Sequence, residues 1–185
     1  SCIDPTLQSA DLVVANLEGP ITATSSRSAG SKVASRDNYV FTFPLSTARL
    51  LAAHHIGVVN LGNNHILNFG TSGFDSTQHS LMEADVAYFG QAAGESLVYA
   101  TNVNAVPIEF INYNEFGGDA ATTLSQIENA KQTGYLPVVY THWGVEYTAT
   151  SSANSRELAH RFVGAGAALV VGSHPHVVED HEVYK

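Results

Sequence analysis

The sequence predicts an α/β fold, because short apolar runs typical of buried strands alternate with segments whose apolar residues recur at helical spacing. Four of the runs are continuous and rich in β-branched residues, which is typical of strands buried on both faces of a parallel sheet. These runs cover residues 12–15, 56–61, 136–140 and 167–171. A mainly parallel sheet is therefore expected, with helices between its strands.

Segments with helical periodicity separate the four runs. They cover residues 45–55, 74–84, 122–132 and 155–164. Gly164 and Gly166 are candidate C-caps of the last helix. Residues 86–89 predict a further strand, and a hairpin is predicted over 96–112 with its turn at 102–104.

The sequence predicts one domain over residues 1–185, because it contains no internal repeat and no sign of a second domain. Small polar residues dominate 22–38, and this composition predicts a surface loop. No apolar run approaches the ~20 residues that a membrane helix needs, so no membrane segment is expected in the chain.

The charge balance limits the class of partner. Eight Lys and Arg residues stand against 17 Asp and Glu, for a net charge of −9. Because nucleic acid is held largely by neutralising its phosphates, we expect no nucleic-acid binding. A divalent metal ion is a better match than nucleic acid for a chain with this excess of negative charge. The single cysteine, Cys2, excludes an internal disulfide and a thiolate zinc site.

Polar residues follow each of the four buried runs and predict the functional site. Ligands bind at the carboxyl ends of the strands in open α/β sheets, so these clusters are expected to converge. The candidates are Asn16, Glu18, Asn64, His65, His142, Glu146, His174 and His176. Imidazole, amide and carboxylate groups form a mixed nitrogen and oxygen ligand set that suits Mn, Fe or Zn.

Several alternatives remain open at single positions. A lone histidine after a strand is more often a hydrogen-bonded polar residue than a metal ligand. Glu18 is also compatible with a cap and Asn16 with a turn. Trp143 fits core packing as well as substrate stacking. If residues 174–176 are extended, the side chains of His174 and His176 lie on the same side of the chain. If they form a loop, the two histidines can bind two neighbouring metal ions.

Five blocks of sequence carry a resemblance to a known family. They are ADLVVANLEGPIT (10–22), NYVFTFP (38–44), VVNLGNNHILNFG (58–70), YTHWGVEY (140–147) and VVGSHPHVVEDHEVY (170–184). In this order, across nearly the whole chain, they resemble the bacterial capsule-synthesis (CapA, poly-γ-glutamate synthesis) family. That family is similar to calcineurin-like metallophosphoesterases. The resemblance implies an αββα sandwich, of which this chain lacks the first and last strands.

The resemblance also implies roles for the candidate residues. The implied metal ligands are Glu18, Asn64, His142, His174 and His176, with Asn16 as a weaker choice for the bridging position of Glu18. His65 is implied to be catalytic and to contact the leaving group. Asn68 stands where the family usually has Asp, and Ser173 where it often has a second His.

Two functions from different classes follow from the resemblance. One is a metal-dependent phosphatase or phosphodiesterase that holds two divalent ions (Mn, Fe or Zn) in the full-length protein and acts on a small phosphoester. The other is a non-catalytic, metal-stabilised binding or scaffold component of capsule polymer assembly or export. Its partners are the anionic polymer and membrane proteins of capsule synthesis. The implied location is bacterial and extracytoplasmic, at the membrane-associated cell surface.

Overall fold

A computed structural model describes residues 3–92 and 97–185 of the chain. Helices and strands alternate as the sequence predicts, and the α/β class is confirmed. The chain divides into two compact units, Ser1–Tyr88 and Phe89–Lys185. Their joint organisation as one domain stays a prediction.

The first unit contains a three-stranded sheet in the order β1-β2-β3, with β1 parallel to β2. Its elements are α1 (Asp4–Ser9), β1 (Val13–Asn16), α2 (Thr47–Ala53), β2 (Ile56–Asn60), α3 (Gly70–Glu83) and β3 (Ala87–Phe89), the last of which reaches the boundary of the unit. Helix α1 was not predicted. The predicted loop over 22–38 is irregular, except that its end forms part of a 3-10 turn at Arg36–Tyr39.

The core of the first unit holds the segments that follow β1 and β2. Ile21, Val59, Leu61, Ile66 and Leu81 are fully buried. Burying an aliphatic side chain of this size contributes about 1.5–3 kcal/mol. Because Val59 and Ile66 flank residues 60–65 and Leu61 lies within them, this mainly polar segment is held in place by apolar packing.

The second unit contains a four-stranded sheet in the order β4-β5-β6-β7. Its elements are β4 (Tyr99–Val103), β5 (Val106–Asn114), α4 (Ala120–Gln132), β6 (Leu136–His142), α5 (Ala153–Ala165) and β7 (Leu169–Ser173). β5, β6 and β7 are mutually parallel, and β4 pairs with β5 as an antiparallel hairpin.

The hairpin prediction is confirmed, with the turn shifted to Asn104 and Ala105. Both have positive φ, 49° and 64°, as in the two-residue turns that match the twist of the strands. Residue 96, where the predicted hairpin begins, lies outside the described residues.

Helices α4 and α5 begin and end at recognisable caps. The Asp119 side chain accepts hydrogen bonds from Ala121 N and Thr122 N, and its bonds with Thr122 lower the pKa of the carboxyl. Ser152 accepts from Ser155 N at the start of α5, and Gly166 ends the helix with φ 126°. The predicted cap at Gly166 is confirmed.

The core of the second unit decides the role of Trp143. Its indole lies parallel to Phe162, with centroids 6.4 Å apart, and only 6% of the residue is exposed. Ile111, Ile127 and Val139 belong to the same buried cluster. Trp143 is a core residue.

Across 3–92 and 97–185, no helix has the length and apolar character needed to cross a membrane.

Candidate functional site

The first unit places Asn16 and Asn60 side by side at the ends of β1 and β2. The Asn16 Oδ1 atom accepts hydrogen bonds from Asn60 Nδ2 at 3.1 Å and Asn63 Nδ2 at 3.4 Å. Its Nδ2 donates to Glu18 Oε2 at 3.1 Å. Asn16 therefore uses its amide to hold the half-buried Glu18 carboxylate against the strand ends. The carboxylate, which carries the charge, is the better candidate ligand of the two.

Asn63 shapes the turn that carries Asn64 and His65. Asn63 is fully buried, and its Nδ2 donates to Leu17 O at 2.9 Å while its Oδ1 accepts from His65 N at 3.1 Å. Asn64, next along the chain, is exposed. Asn60 and Asn63 were not among the predicted site residues. The repeated asparagines in VVNLGNN were the available signal.

We expect Asn63→Ala to lower the free energy of unfolding by ~1–3 kcal/mol, because it leaves buried hydrogen-bonding groups without a partner. Urea unfolding measures the change. Asn64→Ala is the matched control, since the side chain is exposed and the expected change is within ~0.5 kcal/mol. Equal losses in the two variants would contradict the assignment of Asn63 as the buried support of this turn.

His65 lies half-buried beside an aromatic ring and an amide. Its ring centroid is 4.7 Å from that of Phe41. Asn68 Nδ2 donates to the carbonyl oxygens of Tyr39 and Phe41 and lies 3.4 Å from His65 Nδ1. An amide nitrogen donates hydrogen bonds, whereas a carboxylate oxygen accepts them. Asn68 therefore contacts the His65 ring as a donor, where a carboxylate at this position would be an acceptor.

The second unit places three polar side chains in one row across its parallel strands. Asn114 on β5 pairs in register with His142 on β6, which pairs with Ser173 on β7. Each is the last residue of its strand. Residues paired in register point to the same face of a sheet. This row forms the carboxyl edge at which α/β sheets bind ligands.

Three histidines cluster at this edge. The ring centroid of His174 lies 4.9 Å from that of His142 and 6.0 Å from that of His176. Two imidazoles on one ion have centroids at most ~6.4 Å apart, given metal–nitrogen bonds of ~2.1 Å. Both spacings meet this limit, and imidazole nitrogen suits Mn, Fe and Zn. His174 and His176 also offer ring nitrogens within 4.8 Å of each other, so the spacing of these two histidines is compatible with a shared metal ion, with His142 next to His174.

The backbone around these histidines turns sharply. His174 and His176 have φ values of 97° and 58°, a region that costs non-glycine residues about 1–3 kcal/mol each and that is concentrated at functional sites. The segment is a loop, so the two rings do not share one side of an extended chain. Tyr147 N donates to Pro175 O at 2.7 Å, which joins the loop after β6 to the histidine loop.

Aromatic rings flank the histidines. Phe116 meets His174 with centroids 4.7 Å apart and His142 at 5.9 Å. Tyr147 stacks on His176 at 5.9 Å. His142 is fully buried, whereas His176 is exposed. The cluster thus runs from a buried end at His142 to a solvent-facing end at His176.

Carboxylates add negative charge to this edge. Glu115 Oε2 accepts from Gly144 N at 2.8 Å and links the loops after β5 and β6. Burial raises the pKa of Tyr113, and the charges of Glu115 and Asp119 raise it further. Glu146, a predicted candidate, is exposed. Glu115 was missed, although NYNEFG also follows an apolar strand.

Within each unit the structure brings predicted residues together. Asn16 and Glu18 are bonded in the first, and His142, His174 and His176 are neighbours in the second. Asn64 and His65 lie on the turn after β2. The convergence of all the strand-end clusters on one site stays a prediction.

Fold and histidines together define an α/β protein with polar clusters at the carboxyl ends of its parallel strands. The model of the family described as bacterial capsule synthesis protein PGA_cap matches residues 2–185. The chain belongs to this family of bacterial proteins.

Curated relatives agree with this assignment. The chain is 31% identical to the capsule biosynthesis protein CapA of Bacillus anthracis, over 99% of its own length and 49% of the relative. It is 29% identical to the PGA biosynthesis protein CapA of Bacillus subtilis (strain 168), over 98% and 52%. A probable polyglutamine synthesis accessory protein of Mycobacterium tuberculosis is 25% identical over 95% and 52%. The chain spans about half the length of these relatives.

Proposed function

We propose that this chain is a metallophosphoesterase-like part of a bacterial poly-γ-glutamate capsule protein, and that it hydrolyses a phosphoester with divalent metal ions. The histidine cluster at the carboxyl ends of β6 and β7 carries the proposal. Three imidazoles within 6.0 Å of a neighbouring ring, at the carboxyl edge of a parallel sheet, match the ligand chemistry of Mn, Fe or Zn.

His142, His174 and His176 are the proposed ligands of the second unit. Glu18 and Asn64 are proposed as further ligands because their motifs resemble those of the family. When bound, divalent ions activate water and stabilise the charge of an in-line displacement at phosphorus. A chain with a net charge of −9 has few cations of its own for a phosphoryl group, which favours this use of metal.

His65 is the proposed proton donor to the leaving oxygen. The buried Asn63 bonds the backbone of His65, and Phe41 and Asn68 restrict its ring. A half-buried imidazole held in this way is able to meet a substrate without large rearrangement. General acid catalysis of this kind contributes ~10²–10⁴-fold in rate.

One observation favours a second function, a metal-stabilised binding or scaffold component of capsule assembly or export. The three relatives described above are named for biosynthesis of a capsule or polymer and not for hydrolysis. A fold does not determine a reaction. For this function we propose the anionic polymer and capsule-synthesis membrane proteins as partners, at an extracytoplasmic surface of the cell.

Titration of the chain with Mn²⁺, followed by assays on phosphomonoesters and phosphodiesters, tests the proposal. We expect saturable binding and hydrolysis that requires the ion and disappears with a chelator. Binding without hydrolysis of any phosphoester would favour the scaffold. Absence of both would contradict the metal site itself.

A further inference from the structure

Ser173 makes two hydrogen bonds that together determine which nitrogen of His142 carries a proton. Its hydroxyl donates to Thr141 O at 2.7 Å, and its Oγ lies 3.0 Å from His142 Nδ1. A hydroxyl has one hydrogen and a carbonyl oxygen only accepts. Since the hydrogen of Ser173 is directed to Thr141 O, the contact with His142 is a bond in which Nδ1–H donates to Ser173 Oγ.

A neutral imidazole has one protonated nitrogen and one lone-pair nitrogen. With the proton on Nδ1, the lone pair of His142 is on Nε2. Metal ions bind the lone pair, and the partner of the other nitrogen determines which atom is available.

The pairing of β6 with β7 fixes the positions of Ser173 and His142 relative to each other. Ser173 and His142 are register partners on adjacent parallel strands, and Trp143 N donates to Ser173 O at 3.2 Å. His142 is fully buried, with rings of Phe116 and His174 packed against it. Rotation of the imidazole would therefore break a part-buried hydrogen bond and disturb two ring contacts.

We propose that Ser173 is a positioning residue that holds His142 in the Nδ1–H tautomer and so directs Nε2 to a metal ion. This rests on the proposed function, in which His142 is a ligand. The Oγ atom of Ser173 presents an acceptor 3.0 Å from His142 Nδ1, the distance that a hydrogen bond from Nδ1–H needs.

The test measures tautomer and affinity separately. Ring ¹⁵N shifts of the metal-free chain, recorded in alkaline buffer where imidazole is neutral, distinguish protonated from unprotonated nitrogens, and His142→Gln assigns the signals. We expect Nδ1 protonated in the wild type and a tautomer mixture in Ser173→Ala. The dissociation constant for Zn²⁺ alone is expected to rise by ~10–100-fold in the variant, as for other partners of metal-binding histidines.

Two further variants control for folding. Ser173→Thr keeps the hydroxyl and is expected to retain both the tautomer and the affinity. Thr123→Val removes a different buried hydroxyl, which bonds to Asn112 O and Asp119 O, and is expected to change neither. Should Ser173→Ala fail to fold, Ser173→Cys replaces the hydroxyl with a weak acceptor of similar shape, and the same two changes are expected.

The outcomes separate this inference from the proposed function. Tight Zn²⁺ binding with no change of tautomer or affinity in Ser173→Ala would show that Ser173 does not position His142, and the metal site would stand. A wild-type chain that binds no Zn²⁺, yet shows the expected change of tautomer, would overturn the metal site and leave the hydrogen-bond assignment intact. A wild-type His142 protonated on Nε2 would overturn the inference outright.

Discussion

His142→Ala is expected to weaken the binding of Mn²⁺ or Zn²⁺ by more than ~100-fold, which exceeds the usual loss from altering a residue that only supports a ligand. His142 is the buried end of the histidine cluster, 4.9 Å from His174 between ring centroids. Its removal takes away one proposed ligand and its ring contact with His174, the next one. Calorimetric titration measures the affinity, and elemental analysis measures the metal content after reconstitution.

The control for this prediction is a histidine outside the cluster. His181 is exposed in the same unit, and His181→Ala is expected to bind metal as the wild type does. Because truncation of a buried side chain also destabilises a fold, His142→Gln serves as a second variant of similar length. Wild-type affinity in a folded His142→Gln chain would show that His142 is not a ligand.

His65→Ala is expected to retain metal and lose ~10²–10⁴-fold in phosphoester hydrolysis. The proposed role of His65 is proton transfer to the leaving oxygen, so its loss affects the rate and not the ion. Asn64→Ala is the matched comparison on the same turn, and it is expected to lower metal affinity. Paired measurements of metal content and kcat distinguish the two roles.

A contrary result here has a defined meaning. If the wild type binds metal but hydrolyses no phosphoester, and His65→Ala leaves capsule production unchanged in cells, the enzyme hypothesis fails. The chain would then be a metal-stabilised binding module that has the fold without its chemistry. Parallel loss of metal and activity in His65→Ala would instead make His65 a ligand.

The sequence predicted the strands and helices well because their patterns are local. The run at 56–61 became β2 (Ile56–Asn60), and helices were predicted within a few residues of α4 and α5. Hydrophobic periodicity and capping residues act over one or two turns of chain. Helix α1 was missed because DPTLQS is short and has no apolar stripe, and no residue of it is buried.

The sequence also located histidines at the strand ends, since apolar runs followed by HWG and HPH are visible without a structure. The choice between core packing and substrate stacking for Trp143 could be made only from the fold. The indole packs on Phe162, which is 19 residues further along the chain, and no local pattern encodes that contact.

Sequence alone therefore determined the α/β class, the family and the candidate ligands His142, His174 and His176. Tertiary structure decided which side chains support them. Ser173 meets His142 across 31 residues of sequence, and Asn63 meets Leu17 across 46. Hydrogen bonds between strand ends depend on register, and register is set by the packing of whole sheets. The supporting residues are therefore not visible in a local pattern, even where the candidate ligands are.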